Sequence, residues 1–260
     1  MSSQEIVLSI LGGFLAGSIN TLAGNGSAIT LALLTEMLSL PGNVANGTNR
    51  IGILMQGIAS WVPFYRNKKF VGINYLKFII PTSIGAVCGA LVSLKISSDQ
   101  FMAVYRYLML LLLIFMFIKP DRWLQTMPQS KEVSPWISHL VLLILGFYGG
   151  FIQMGMGLFF LAVMVVIWGG SLITSNAIKI VIVSVYTLLV LIVFHFHHSV
   201  RWDIGIVIGV GQALGGWLTA HYACKWRFAE LWAYRFLLLI MIMTLLHLFQ
   251  LDSLILSLFT

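Results

Sequence analysis

The chain has 260 residues, of which 59% are apolar and 9% charged, with 15 basic against 8 acidic residues and a mean hydropathy of +0.97. A soluble fold of this size keeps about a quarter of its residues charged, so a soluble enzyme, a disordered chain and a secreted scaffold are excluded. Cys88 and Cys224, each inside an apolar stretch, offer neither a disulfide framework nor a zinc site. The formal charge of +7 is scattered between hydrophobic runs, whereas nucleic-acid binding gathers charge on one face. The composition is that of an all-α integral membrane protein.

A spanning helix needs about 20 mostly apolar residues. Charge-free intervals separate Glu5 from Glu36, Arg50 from Arg66, Lys77 from Lys95 and Arg106 from Lys119. In the second half they separate Glu132 from Lys179, Lys179 from Arg201, Asp203 from Lys225 and Arg235 from Asp252. Intervals 6–35 and 133–178 are too long for one helix. Each carries a glycine-rich break, Gly24-Asn25-Gly26 and Gly155-Met156-Gly157. Each therefore reads as a full span followed by a short helix, which predicts about ten helical segments, eight long spans and two short helices. The first residues lack the basic region of a cleaved signal peptide, so the first helix is expected to be retained. Segment 119–136, rich in proline and charge, is expected to be a cytoplasmic linker between membrane repeats at 1–118 and 137–260.

The halves resemble each other. LGGFLAGSINTLAGNG from Leu11 aligns with LGFYGGFIQMGMG from Leu145, placing Asn20 opposite Gln153 and Gly24/Gly26 opposite Gly155/Gly157. Arg50 then faces Lys179, Arg106 faces Arg235, and Gly85/Gly89 face Gly211/Gly215 after a three-residue displacement. Five crossings per half would invert the second repeat. That arrangement puts Arg66, Lys68, Lys69, Lys77, Lys119, Arg122, Lys131, Lys179, Lys225, Arg227 and Arg235 on one side, leaving Arg50, Lys95, Arg106 and Arg201 on the other. Because basic residues favour the cytoplasmic side, two inverted-topology repeats are predicted, with the linker cytoplasmic and the N-terminus outside.

Inverted repeats with interrupted helices are a transporter pattern, and the ligand site lies where the breaks meet near the midplane. Unwound backbone at that depth is tolerated only beside protein or a wet cavity, and a helix starting there aims free N–H groups and a positive dipole into it. Gly24, Gly26, Gly155 and Gly157 permit the turn, while Asn20, Asn25, Ser27 and Gln153 add neutral donors, a chemistry suited to a small anion. Arg50 and Lys179 are expected to open their spans, where a cation opposes the helix dipole and a bound anion would relieve the conflict. The competing readings are that glycines only pack helices and that the two cations snorkel to headgroups or, for Arg50, pair with Glu36. Gly13/Gly17, Gly85/Gly89, Gly146/Gly150, Gly205/Gly209 and Gly211/Gly215 are assigned to packing.

His195, His197 and His198 read as a polar cap at a membrane edge, with His195 and Glu36 the candidates for carrying a proton. Metalloprotease, nucleophile-elbow and phosphate-loop patterns are missing, so neither enzyme chemistry, metal, cofactor nor direct ATP drive is expected.

The stretches AGSINTLAGNGSAITL and ANGTNR, with LGFYGGFIQMGMG, SNAIK, VRWDIG and GQALGGWL, resemble the TauE/SafE sulfite exporter family of permeases over nearly the whole chain. The resemblance implies a bacterial inner-membrane permease that exports small sulfur-containing anions, such as sulfite, sulfoacetate or other organosulfonates, with coupling to the proton gradient. The mechanism expected is alternating access, the halves rocking about the linker, with Asn20, Gln153, Asn49 and Asn176 and the break amides binding the oxyanion and Arg50 and Lys179 balancing its charge. A passive anion channel, an intramembrane enzyme and a structural subunit are the alternatives, and a homodimer is the assembly considered.

Overall fold

A computed structural model describes residues 1–66, 75–117, 134–168 and 172–222, with isolated helical positions at Arg235, Leu239, Ile242, Met243 and Leu246. The described residues form α1 (Ser3–Ala23), α2 (Gly26–Ala32) running into a π-helical turn (Leu33–Met37), α3 (Gly42–Arg66), α4 (Leu76–Ser93) and α5 (Ser98–Phe117). The second half gives α6 (Pro135–Phe151), α7 (Met156–Trp168), α8 (Leu172–Phe196) and α9 (Trp202–Tyr222). The short helices follow the two glycine breaks as expected, and the positions from Arg235 onward fall in the remaining expected span. The linker lies largely outside the described residues, except that Pro135 and Trp136, counted in it, are the first residues of α6.

Twenty residues at 1.5 Å rise cover about 30 Å, the thickness of the hydrocarbon. Leu76–Ser93, Ser175–Phe196 and Trp202–Tyr222 are long and apolar enough to cross a membrane by composition alone, and Pro135–Phe151 is a shorter apolar helix. Pro63 in α3 and Pro81 in α4 sit inside helices, which a membrane interior accommodates when neighbours satisfy the freed carbonyls. Helix ends at the rim are capped locally: Ser2 and Glu5 form a capping box on α1, and Ser97 and Gln100 exchange the same pair of bonds ahead of α5. Leu11, Ile80, Leu111, Ile144, Leu188 and Leu214 are exposed, an apolar rim of the kind lipid covers.

Glycine registers fix how the helices run. A Cβ on Gly211 would strike Ile10 O and one on Gly215 would strike Phe14 O, so α9 and α1 advance together and are parallel. Gly205 and Gly216 meet Ile51 and Gln56 in the same sense, making α3 parallel to α9. Gly47 meets Phe194 whereas Gly57 meets Ser184, so α8 runs against α3. In the other pair, Gly85 strikes Leu143 O and Gly89 strikes Phe147 O, so α4 and α6 are parallel. Gly42, at the start of α3, packs on Phe101 near the start of α5, and only residues 94–97 separate α5 from α4. α4 therefore ends where α3 begins and runs opposite to it. It follows that α6 runs opposite to α1, and the second repeat is inverted relative to the first.

The small-residue patterns build two matching seams. Gly13 and Gly17 of α1 press on the backbone of Ile208 and Gln212 in α9; Gly146 and Gly150 of α6 press on Thr82 and Ala86 in α4. Each half's first helix thus packs against the other half's fourth. Without a hydrophobic driving force in lipid, this close backbone approach supplies the association energy.

Candidate functional site

Both breaks are real interruptions. α1 ends at Gly24, whose φ of 76° is left-handed and whose N–H donates to Asn20 O at 3.0 Å and Ile19 O at 3.3 Å, a glycine C-cap. Asn25 precedes α2 as its N-cap residue. The second break is longer, 152–155, with Gln153 at φ 60° and Gly155 at φ 71°; Tyr148 Oη donates to Met154 O across it. The seam registers pair Ile10 with Leu143 and Phe14 with Phe147, which carries Asn20 onto Gln153. The first break comes one turn later than the second, so Asn20 stays helical while Gln153 lies in the unwound stretch. The breaks touch: a Cβ on Gly157 would lie 2.5 Å from Gly24 Cα and O. Gly26 fits against Ala16 O and Asn20 Cβ with equally little room.

The two basic residues do not open their spans. Arg50 lies two turns inside α3 and Lys179 two turns inside α8, and the conflict with the dipole is resolved across the pseudo-twofold. Arg50 Nη1 donates to Gly149 O at 2.6 Å and to Gln153 Oε1. Its Nη2 donates to Gly150 O at 2.8 Å and Asn46 Oδ1 at 3.0 Å. Those carbonyls end α6, where the helix dipole is negative and orphan acceptors need donors. Lys179 Nζ donates to Asn20 O, near the end of α1, at 3.1 Å, and to Asn176 Oδ1 at 2.7 Å. Each repeat's cation therefore caps the broken helix of the other repeat. Neither side chain snorkels: Arg50 is 0% and Lys179 3% exposed. Arg50 also lies over the Phe194 ring, 5.8 Å from its centroid, and its acceptors are uncharged amides, not Glu36.

Where the breaks meet lies a small, partly open cavity lined by Asn20, Ser27, Gln153, Gly157 and Lys179 from the expected set. It is narrow, with room for about one or two water-sized bodies. Arg50, Gly24, Asn25, Gly26, Asn49, Gly155 and Asn176 are outside the lining. Asn49 accepts from Thr30 Oγ1 at 2.6 Å, tying α3 to α2, and Asn176 fixes the lysine. Glu36 belongs to the π-helical turn and accepts from Thr35 Oγ1 at 3.0 Å. His195 is exposed at the end of α8, where Trp202 Nε1 donates to its Nδ1 at 3.2 Å. Neither reaches the cavity.

Sequence reasoning missed Gln56, Ser184 and Tyr186 in the lining. Gln56 Oε1 accepts from Asn20 Nδ2 at 2.7 Å, and Gln56 Nε2 donates to Thr21 Oγ1 at 2.9 Å. For Tyr186 helical spacing carried the signal, since it lies seven residues beyond Lys179 as Gly57 lies seven beyond Arg50; Gln56 and Ser184, six and five residues beyond their cations, are off that spacing. The antiparallel α3 and α8 present these two stripes to the same space.

The family model described as sulfite exporter TauE/SafE matches residues 9–248. A protein named probable membrane transporter protein ORF9, from a Sinorhizobium species, is 28% identical over 212 residues, 81% of this chain and 80% of its own length. A probable membrane transporter protein of Haemophilus influenzae is 28% identical over 210 residues, 80% of this chain and 81% of that protein. The probable membrane transporter protein YfcA of Escherichia coli K12 is 26% identical over 202 residues, 77% and 74% of the two chains. With its helices, its inverted repeat and a match spanning nearly its full length, the chain belongs to the TauE/SafE sulfite exporter family and is a multi-pass membrane transporter, not an enzyme.

Proposed function

We propose that the protein is an exporter of small sulfur-containing anions, sulfite or organosulfonates such as sulfoacetate, in a bacterial inner membrane, working by alternating access around the cavity between the breaks. The observation that carries this reading is a buried lysine, Lys179, in the lining of that cavity among Asn20, Gln153, Gln56 and Ser27. A cation with neutral donors in a low-dielectric enclosure favours an oxyanion over a neutral or cationic solute. The amide groups at the start of α7 add their share of positive potential. Arg50 stands behind the lining and reaches it through Gln153, so its charge adds to the potential without direct contact. Gly24, Asn25, Gly26, Asn49, Gly155 and Asn176 shape the breaks and hold the groups that touch the ligand.

The cavity is narrow as it stands, so admitting an oxyanion requires its lining to part. Export and the sulfur chemistry rest on the family resemblance. Glu36 and His195, the candidates for carrying a proton, lie outside the cavity lining, so coupling through them would act on the site indirectly. The test is counterflow in proteoliposomes: saturable exchange of labelled sulfite or sulfoacetate is expected. Unitary currents in electrical recordings would convert the reading to a passive anion channel, and absence of any flux of either probe would end it.

A further inference from the structure

We propose that Thr21 and Gln56 are positioning residues of the transport site: together they set the orientation of the Asn20 amide at the cavity wall, and through it the affinity for the anion. The inference rests on the reading of the cavity as the transport site. It assigns a role to Thr21, which lies outside the cavity lining.

Three hydrogen bonds in series carry it. Thr21 Oγ1 donates to Gly17 O at 2.9 Å, one turn back along α1. A hydroxyl has a single hydrogen, so toward Gln56 this one can only accept, and it does so from Gln56 Nε2 at 2.9 Å. That turns Gln56 Oε1 toward Asn20, whose Nδ2 donates to it at 2.7 Å. An Asn20 amide turned over would set two carbonyl oxygens against each other. Each bond thus dictates the direction of the next, starting from the backbone of α1.

The side-chain amide of Asn20 has no other hydrogen-bond partner among the described residues, so its orientation depends on Gln56. Gln56 is buried, and α9 passes so close that a Cβ on Gly216 would lie 2.5 Å from Gln56 Cγ and 2.7 Å from Ser60 Oγ. On that side Gln56 has little room to swing away. The second repeat holds its matching amide comparably. Gln153 Oε1 accepts from Arg50, and Gln153 Nε2 donates to Thr187 Oγ1 at 3.3 Å; neither partner lines the cavity. Both wall amides are therefore oriented by networks that include a threonine behind the lining. An amide released from such a network must be frozen by the ligand itself, which costs affinity.

The discriminating variant is Thr21→Val, which removes the hydroxyl at nearly constant shape. In proteoliposomes exchanging labelled sulfite, KM is expected to rise about fivefold with Vmax within about twofold, and Thr21→Ser, which keeps the hydroxyl, to restore the wild-type KM. Gln56→Met removes both ends of the bridge and is expected to raise KM about tenfold. In an Asn20→Ala background both substitutions should lose their effect, because no amide is left to orient. An unchanged KM in Thr21→Val, failure of Thr21→Ser to restore it, or effects that add in full to that of Asn20→Ala overturns the inference. If Thr21→Val alone misfolds, Gln56→Met in the two backgrounds decides; misfolding of both overturns the inference, since the bonds would then be serving the fold. If wild-type protein carries neither sulfite nor sulfoacetate, the transport reading falls and the inference falls with it; wild-type flux with an indifferent Thr21→Val removes the inference alone.

Discussion

Arg50 and Lys179 occupy matching places in the two repeats and both cap the broken helix of the opposite half, but they are not doing the same work. Arg50 has four acceptors for its two terminal nitrogens and no place in the cavity wall. Lys179 has two acceptors and does face the cavity. The chemistry of the side chains explains the split. A planar guanidinium with five donors in a fixed fork can span several diverging acceptors at once, whereas a compact ammonium on a flexible stem makes fewer bonds and keeps a hydrogen for a ligand. The repeat preserves the position of a buried cation; under the proposed transport reading the arginine is the strut and the lysine the contact.

The sharpest way to break this comparison is Arg50→Ala. It strands Gly149 O, Gly150 O, Gln153 Oε1 and Asn46 Oδ1 in a buried site, and a loss on the order of 3–5 kcal/mol is expected, seen as poor yield and a large fall in the unfolding midpoint in detergent. A fall no larger than that of the lysine variant would refute the division of roles. Lys179→Gln should cost less stability, about 1–2 kcal/mol, while cutting sulfite counterflow at least about tenfold; full transport with damaged stability would reverse the assignment. The smallest effect is expected at the first break. Gly24→Ala forces a side chain into φ 76°, a penalty of about 1 kcal/mol, read as a modest drop in midpoint with transport retained.

Much of this was legible because it depends on local periodicity. The breaks, the short helices behind them, the pairing of Asn20 with Gln153 and the small-residue seams all follow from glycine spacing and charge-free intervals. The start of α3 was not legible. Arg50 reads as the opening residue of its span, yet residues 42–49, GNVANGTN, form the first turns of α3 because tertiary partners absorb their polarity. Asn46 Nδ2 donates to Phe151 O at 2.7 Å, Thr48 Oγ1 accepts from Arg201 N at 3.0 Å, and Asn49 accepts from Thr30. Once those turns are helical, Arg50 moves from a helix end to the interior, and the dipole it answers is that of α6 in the opposite repeat. That exchange across halves is invisible to any reading of one segment at a time. Tyr186 was missed for a related reason: in an apolar helix it passes for one more aromatic, until the lining of the cavity is seen.

The seams between α1 and α9 and between α4 and α6 decide what can move as a unit. Backbone pressed on backbone through glycine resists sliding, so each repeat is clamped to a helix borrowed from its sibling. The seams join α1 to α9 and α4 to α6, while α8 packs against both α3 and α4. The two cation caps, Arg50 on the end of α6 and Lys179 on the end of α1, each reach from one repeat into the other.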